Sequence, residues 1–129
     1  MLAERLRLQN TCATVVSVSP VLAPTLLDPI AETLALTDSE LGRLFGVTRQ
    51  AVAQWRERGI PSARQAKAAT VAAICDLLAH QLKPERIPGI ARRPARAYGG
   101  LSMLEMIERD RHEQLHQRVR RSFDWAVPA

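Results

Sequence analysis

Aromatic residues make up only 4% of this 129-residue sequence, and no apolar run is long enough to cross a bilayer. Alanine is frequent instead, with nineteen copies. This composition suits closely packed helices better than a β-sandwich or a barrel, because sheets favour aromatic and β-branched side chains. A chain of this length buries about two-thirds of its surface in one core, which excludes a large multidomain enzyme. The sequence therefore predicts an all-α protein.

Cysteine is also rare. Cys12 and Cys75 are the only two, and neither belongs to a C-x-x-C pair or lies near a histidine at zinc-ligand spacing. We therefore expect a protein of a reduced, cytoplasmic compartment. Residues 11–23 follow two arginines, as a signal peptide would, but Pro20 and several polar side chains interrupt them. This interruption argues against secretion and against a membrane span.

Helix-capping signals are weak at the N-terminus and become clear from Asp28 onwards. Residues 1–27 are left unassigned, with a dimerisation arm as one interpretation, and the β-branched side chains of 13–18 favour extended structure. Asp28 followed by proline predicts the start of a helix. Thr37 and Glu40 have the spacing of a capping box, and Thr48 is a further capping residue. The helices predicted in this part of the chain cover residues 28–36, 37–45, 48–58 and 62–82.

Proline and glycine then mark a connection over residues 84–100, which contain three of each. We expect one short helical turn within it, at 93–98. Ser102 and Glu105 repeat the capping-box spacing and predict a final helix to about Trp125, with a break near Asp110. The predicted organisation is therefore an N-terminal segment at 1–27, a domain at 28–83 and a C-terminal helical domain at 84–129.

Residues 38–58 have the apolar pattern of a helix-turn-helix motif. Apolar positions spaced by three or four residues on two short helices would face each other, with one apolar residue at the corner between them. Gly42 would let the two helices cross closely, and Gly46 suits the turn between them. The predicted core of the motif consists of Leu41, Phe45, Val47, Val52 and Trp55.

The polar face of the second helix of this motif is the face that would meet DNA. Arginine pairs with guanine and glutamine with adenine in the major groove, so we predict that Arg49, Gln50 and Gln54 contact base edges. The predicted phosphate contacts are Thr48, Arg43, Arg56 and Arg58. A solvated helix face without a ligand is the alternative interpretation. The expected partner is a double-stranded DNA operator, although residues 31–58 carry as many acidic as basic side chains.

His112, Glu113 and His116 form the H-E-x-x-H pattern of zinc metalloproteases on a predicted helix. Such a site needs a third protein ligand, and Asp124 is the only carboxylate residue beyond His116. The flanking sequence is also heavily charged. We therefore predict a surface helix with no metal, no cofactor and no enzymatic activity, and keep a metalloprotease as a distant alternative.

The motif at 38–58, together with the order of segments 87–95, 98–100 and 101–107, resembles the Xre/MbcA/ParS-type antitoxins and related actinobacterial regulators. The resemblance implies a homodimer that represses its own operon through the helix-turn-helix. It also implies that residues 84–129 bind and neutralise a toxin, often a RES-domain enzyme that degrades NAD. The predicted function is thus a sequence-specific transcriptional repressor, with the role of an antitoxin implied by the resemblance. The alternative is a stand-alone or phage-type repressor whose C-terminal domain serves dimerisation.

Overall fold

A computed structural model of the protein describes residues 26–124. This part of the chain folds into helices connected by short turns and contains no β-strand, which confirms the all-α prediction. Two short 3₁₀ helices, Pro84–Arg86 and Arg96–Tyr98, lie in the second half. The α-helices of the described residues are α1 (Leu27–Leu34), α2 (Asp38–Phe45), α3 (Arg49–Arg58), α4 (Ser62–Gln81), α5 (Ile87–Arg92), α6 (Met103–Glu108) and α7 (His112–Asp124).

The starts of α2 and α3 lie where the capping residues predict them. The hydroxyl of Thr37 accepts a hydrogen bond from the amide of Glu40 at 3.2 Å, and the Glu40 carboxylate accepts one from the Thr37 amide at 2.9 Å. Thr48 caps α3 by accepting from the amide of Ala51 at 3.1 Å. Gly46 ends α2 with φ of 70°, a conformation that glycine adopts without steric cost.

The first helix differs from its prediction at both ends. Leu26 occupies the N-cap position without a side-chain cap, so Asp28 is not the capping residue and lies within the first turn. Its carboxylate pairs with Arg56 instead. The helix ends at Leu34, before the predicted Leu36, because Ala35 takes a left-handed conformation with φ of 54°.

The connection at 84–100 is more helical than its proline and glycine content predicts. Helix α5 begins at Ile87, and Pro88 lies in its first turn, where a missing amide hydrogen costs no intrahelical bond. The short turn expected at 93–98 is present as the second 3₁₀ helix. The break near Asp110 is confirmed: this residue has φ of 60° and separates α6 from α7.

The apolar side chains form one continuous core that extends from Leu27 in α1 to Val119 in α7. Helix α4 passes through the middle of this arrangement and packs against α1 on one side and α7 on the other. Helix α2 packs against both α3 and α6. The core therefore crosses the predicted boundary between residues 83 and 84, and the α2–α3 pair rests on helices from the C-terminal half.

No helix among residues 26–124 is long and apolar enough to cross a membrane. Cys75 is buried in α4 as a free thiol, and burial raises its pKa to about 12. The predictions for Cys12, for extended structure at 13–18 and for a dimerisation arm fall outside the described residues.

Candidate nucleic-acid interface

The predicted core of the motif is inside the protein. Leu41, Phe45 and Val52 are fully buried, and Trp55 is 7% exposed. The rings of Phe45 and Trp55 meet edge to face, with their centroids 5.6 Å apart. Val47 is partly buried at the corner between α2 and α3 and packs against the core. These contacts fix the angle between the two helices and leave one face of α3 outside.

Gly42 makes this corner possible. A Cβ atom at this position would lie 2.6 Å from the Val47 carbonyl oxygen and 3.2 Å from the carbonyl carbon of Thr48. The backbone of the turn therefore passes directly against α2. The sequence predicts a small residue here for the crossing of the helices, and the structure shows that the close approach is to the turn itself.

The exposed face of α3 begins at its N-terminus. Arg49, Gln50 and Gln54 are exposed, as are the intervening Ala53 and the capping residue Thr48. The Thr48 oxygen already accepts a hydrogen bond from Ala51, but its hydroxyl hydrogen is available to a phosphate oxygen. The first amides of a helix have no intrahelical acceptor, and the positive end of the helix dipole lies there. This end of α3 can therefore receive an anion beside three side chains suited to bases.

The four predicted phosphate-contacting residues differ in their surroundings. Arg43 and Arg58 are exposed, and neither forms an ion pair with any residue of the described range. Arg56 is two-thirds buried, and its guanidinium contacts Asp28 at 2.5 Å and Asp38 at 2.7 Å. Arg56 thus joins α3 to α1 and α2, and two carboxylates neutralise its charge.

Two basic residues of α4 donate hydrogen bonds to carbonyl groups at the C-terminus of α2. The sequence analysis did not predict this role. Lys67 is 8% exposed, and its ammonium donates to the Leu44 carbonyl at 2.6 Å. The Arg64 guanidinium donates to the carbonyl of Phe45. Cations are favourable at a helix C-terminus, where carbonyl groups lack intrahelical donors. The Arg64 donor is 19 residues from its acceptor in the chain, and the Lys67 donor is 23 residues from its own. No local sequence pattern predicts contacts over such separations.

Arg92 closes the end of α1 in the same way. Its guanidinium donates to the carbonyls of Leu34 and Ala35, both at 2.8 Å. It also lies 3.6 Å from the Glu40 carboxylate. The hydrogen bond from the Thr37 amide, supported by the charge of Arg92, holds the pKa of Glu40 below its usual range against the opposing effect of burial. Several basic groups are thus tied to the fold, so the net charge overstates the positive charge available to a partner.

The H-E-x-x-H residues lie at the start of α7. The Nδ1 atom of His112 is buried and has no hydrogen-bond partner among the described residues, and Glu113 accepts a hydrogen bond from Thr70 at 3.0 Å. Burial, with the nearby charge of Lys67, lowers the pKa of His112. Within residues 26–124 no group of three or more histidine, cysteine or acidic side chains is placed to hold a metal ion.

No protein-family profile matches the sequence, and no curated protein is significantly similar to it. Among solved structures, the fold matches a chain of the crystal structure of the M. tuberculosis MbcT-MbcA toxin-antitoxin complex. The TM-score is 0.66 at 20% sequence identity, and the match covers 84% of this chain and 98% of that chain. The protein therefore has the fold of a component of a toxin-antitoxin complex.

Proposed function

We propose that this protein is the antitoxin of a toxin-antitoxin pair and that it represses its own operon by binding DNA. The role of an antitoxin is supported by the likeness to a chain of the MbcT-MbcA complex, which extends over nearly the whole of that chain. DNA binding is supported by one observation, the exposed N-terminal half of α3 on a buried helix-turn-helix core. The resemblance found in the sequence adds a RES-type, NAD-degrading toxin as the expected partner.

In this proposal Arg49, Gln50 and Gln54 contact base edges in the major groove. Thr48 and the free amides at the start of α3 hold one phosphate, and the exposed Arg43 and Arg58 hold others. Arg56 is left out of the interface because Asp28 and Asp38 already bind its guanidinium. The proposal includes a homodimer, because a dimer places one recognition helix on each half of a palindromic operator.

Selection of bound sequences from random duplex DNA tests the DNA-binding half of the proposal. We expect a palindrome, and the distance between its halves gives the spacing of the two recognition helices. Arg49→Ala weakens binding to the selected site by about 1 to 3 kcal/mol and relaxes the preference at one base pair. An unchanged affinity and base preference in this variant would contradict the assignment of Arg49.

Co-expression with the product of the adjacent gene tests the antitoxin half. We expect that this product stops growth when expressed alone, that the present protein restores growth, and that the two proteins elute together in size-exclusion chromatography. A protein that binds its palindrome but neither binds nor neutralises the neighbouring product would be a stand-alone repressor. In that case residues 84–129 serve only dimerisation.

A further inference from the structure

A recess opens between the second 3₁₀ helix and α7, and no residue of α2 or α3 lines it. Its volume is about 330 Å³, and its lining consists of Ala97, Tyr98, Arg118, Arg121 and Ser122. A smaller recess of about 120 Å³ adjoins it, because Arg118 and Arg121 line both, together with Gln114 and Gln117. The two arginines thus form a wall between two concave surfaces.

No described side chain compensates the charge of this wall. Among the side chains that the structure describes, no carboxylate lines either recess or forms an ion pair with Arg118 or Arg121. Three acidic residues of α6, α7 and the turn between them have other contacts. Glu105 closes a capping box, Asp110 pairs with Lys67, and Glu113 binds Thr70.

The other residues that line the larger recess supply an aromatic ring and a serine hydroxyl whose hydrogen is already donated. Tyr98 is half-buried and packs against the core. Burial raises the pKa of its phenol, and the charge of Arg118 counteracts this rise, so the guanidinium lies close enough to the ring to influence it. Ser122 donates its hydroxyl hydrogen to the Arg118 carbonyl at 2.8 Å and so offers only an acceptor to the recess. In the larger recess, the guanidinium groups and the phenol are therefore the side-chain donors available to an anion.

We propose that this recess binds a small phosphate-bearing molecule of about the size of a mononucleotide. The phosphate lies between Arg118 and Arg121, whose planar groups each offer paired donors to its oxygens. The volume of the larger recess is at the lower end of the range of small-molecule sites, about 300 to 1,000 Å³, so a bare phosphate ion would leave most of it empty. The organic part of the ligand lies against the Tyr98 ring and Ala97. The proposal does not rest on DNA binding, because neither recess includes a residue of α3.

Adenosine 5′-monophosphate is the probe that tests the proposal, in a titration of the full-length isotope-labelled protein followed by NMR. We expect shifts of the side-chain Nε–H resonances of Arg118 and Arg121 and of the Tyr98 amide, with little change in α3. Inorganic phosphate is expected to bind at least about tenfold more weakly, because it makes no contact with the ring. Arg118→Ala and Arg121→Ala each weaken binding of the nucleotide by about tenfold or more.

Arg120→Ala is the matched control, because Arg120 is exposed on the same helix and lines neither recess. It removes the same charge and should change the affinity less than about twofold. The melting temperatures of the variants are measured first, to show that both are folded. If Arg118→Ala and Arg120→Ala then lose equal affinity for the nucleotide, general charge attraction explains the binding and the proposal is overturned. Absence of shifts at millimolar nucleotide, or equal binding of phosphate and nucleotide, would overturn it as well. Displacement of the nucleotide by random duplex DNA at micromolar concentration would identify the recess as a DNA-backbone contact and also refute it.

Discussion

Lys67 and Asp110 form a 2.8 Å ion pair that joins α4 to the turn between α6 and α7. The same ammonium donates to the carbonyl of Leu44 and lies 5.5 Å from the centre of the Phe45 ring. The end of α2, the start of α4 and the turn before the last helix therefore meet at one nitrogen atom. This contact links the α2–α3 pair to the C-terminal helices.

Replacement of Lys67 by Met should lower the free energy of unfolding by about 2 kcal/mol. The change removes a charge-assisted hydrogen bond and leaves the Leu44 carbonyl without its donor in a buried position. Urea denaturation of the variant measures the loss. Lys83→Met is the matched control, since Lys83 is exposed and its loss should cost no more than about 0.5 kcal/mol. Equal stabilities of the two variants would show that the Lys67 contacts contribute nothing net.

Gly42→Ala should destabilise the protein by about 1 to 3 kcal/mol, because the new methyl group would lie 2.6 Å from a backbone oxygen that cannot easily move. Gly89→Ala is the opposite case. Its methyl group meets nothing within 4 Å and lies in α5, so the higher helix propensity of alanine should raise stability by about 0.5 to 1 kcal/mol. Thermal unfolding compares the two variants, and a stable Gly42→Ala protein would refute the close approach at the corner.

Arg56→Ala should mainly lower the stability of the protein, whereas Arg49→Ala should mainly weaken DNA binding. The first removes two ion pairs of a guanidinium that is still about a third exposed, so water screening limits the expected loss of stability to about 1 kcal/mol. The second should leave the melting temperature unchanged while operator binding weakens. Differential scanning calorimetry and DNA binding are measured on both variants. A melting temperature of Arg56→Ala equal to that of the parent protein would exclude a structural role for this residue.

The stability of the protein should fall as the pH decreases through about 6.5, the ordinary pKa of histidine, towards the lower folded-state pKa of His112. The pKa of His112 is lowered in the folded state, so the unfolded chain takes up a proton first, below the ordinary pKa of 6.5. The contribution of His112 is therefore complete above this pH and is lost as the pH falls towards the folded-state pKa. The carboxyl groups with lowered pKa, Glu40 and Asp110, act only at lower pH, below their ordinary values of 4.5 and 3.8.

Melting temperatures recorded across this pH range check the prediction. His112→Leu should flatten the profile because the half-buried titrating ring is gone. His80→Ala is the histidine control, since the His80 ring is exposed on α4 and contacts Asp76 of the same helix. A steep profile in His112→Leu would assign the pH dependence to another group.

Most of the secondary structure could be predicted from residues close together in the sequence. A capping box needs only two residues three positions apart. Thr37 and Ser102 therefore predict the starts of their helices without any tertiary contact. The same local reasoning failed at α5, where Pro88 and Gly89 indicate a connection but the buried Ile87 and Ala91 anchor a helical turn on the core. It also failed at Asp28, whose predicted capping role competes with an ion pair to a residue 28 positions away.

The sequence by itself determined the all-α class, the starts of α2, α3, α4 and α6, the break at Asp110 and the apolar residues between α2 and α3. Each of these depends on spacings of a few residues, which the backbone geometry of a helix converts directly into contacts. Only the tertiary structure decided which basic residues remain free. Arg56, Lys67 and Arg92 bind carboxylates and carbonyls far away in the chain, whereas Arg49, Arg118 and Arg121 stay exposed. The sixteen arginines are chemically identical in the sequence, and only the positions of distant helix ends and carboxylates distinguish them.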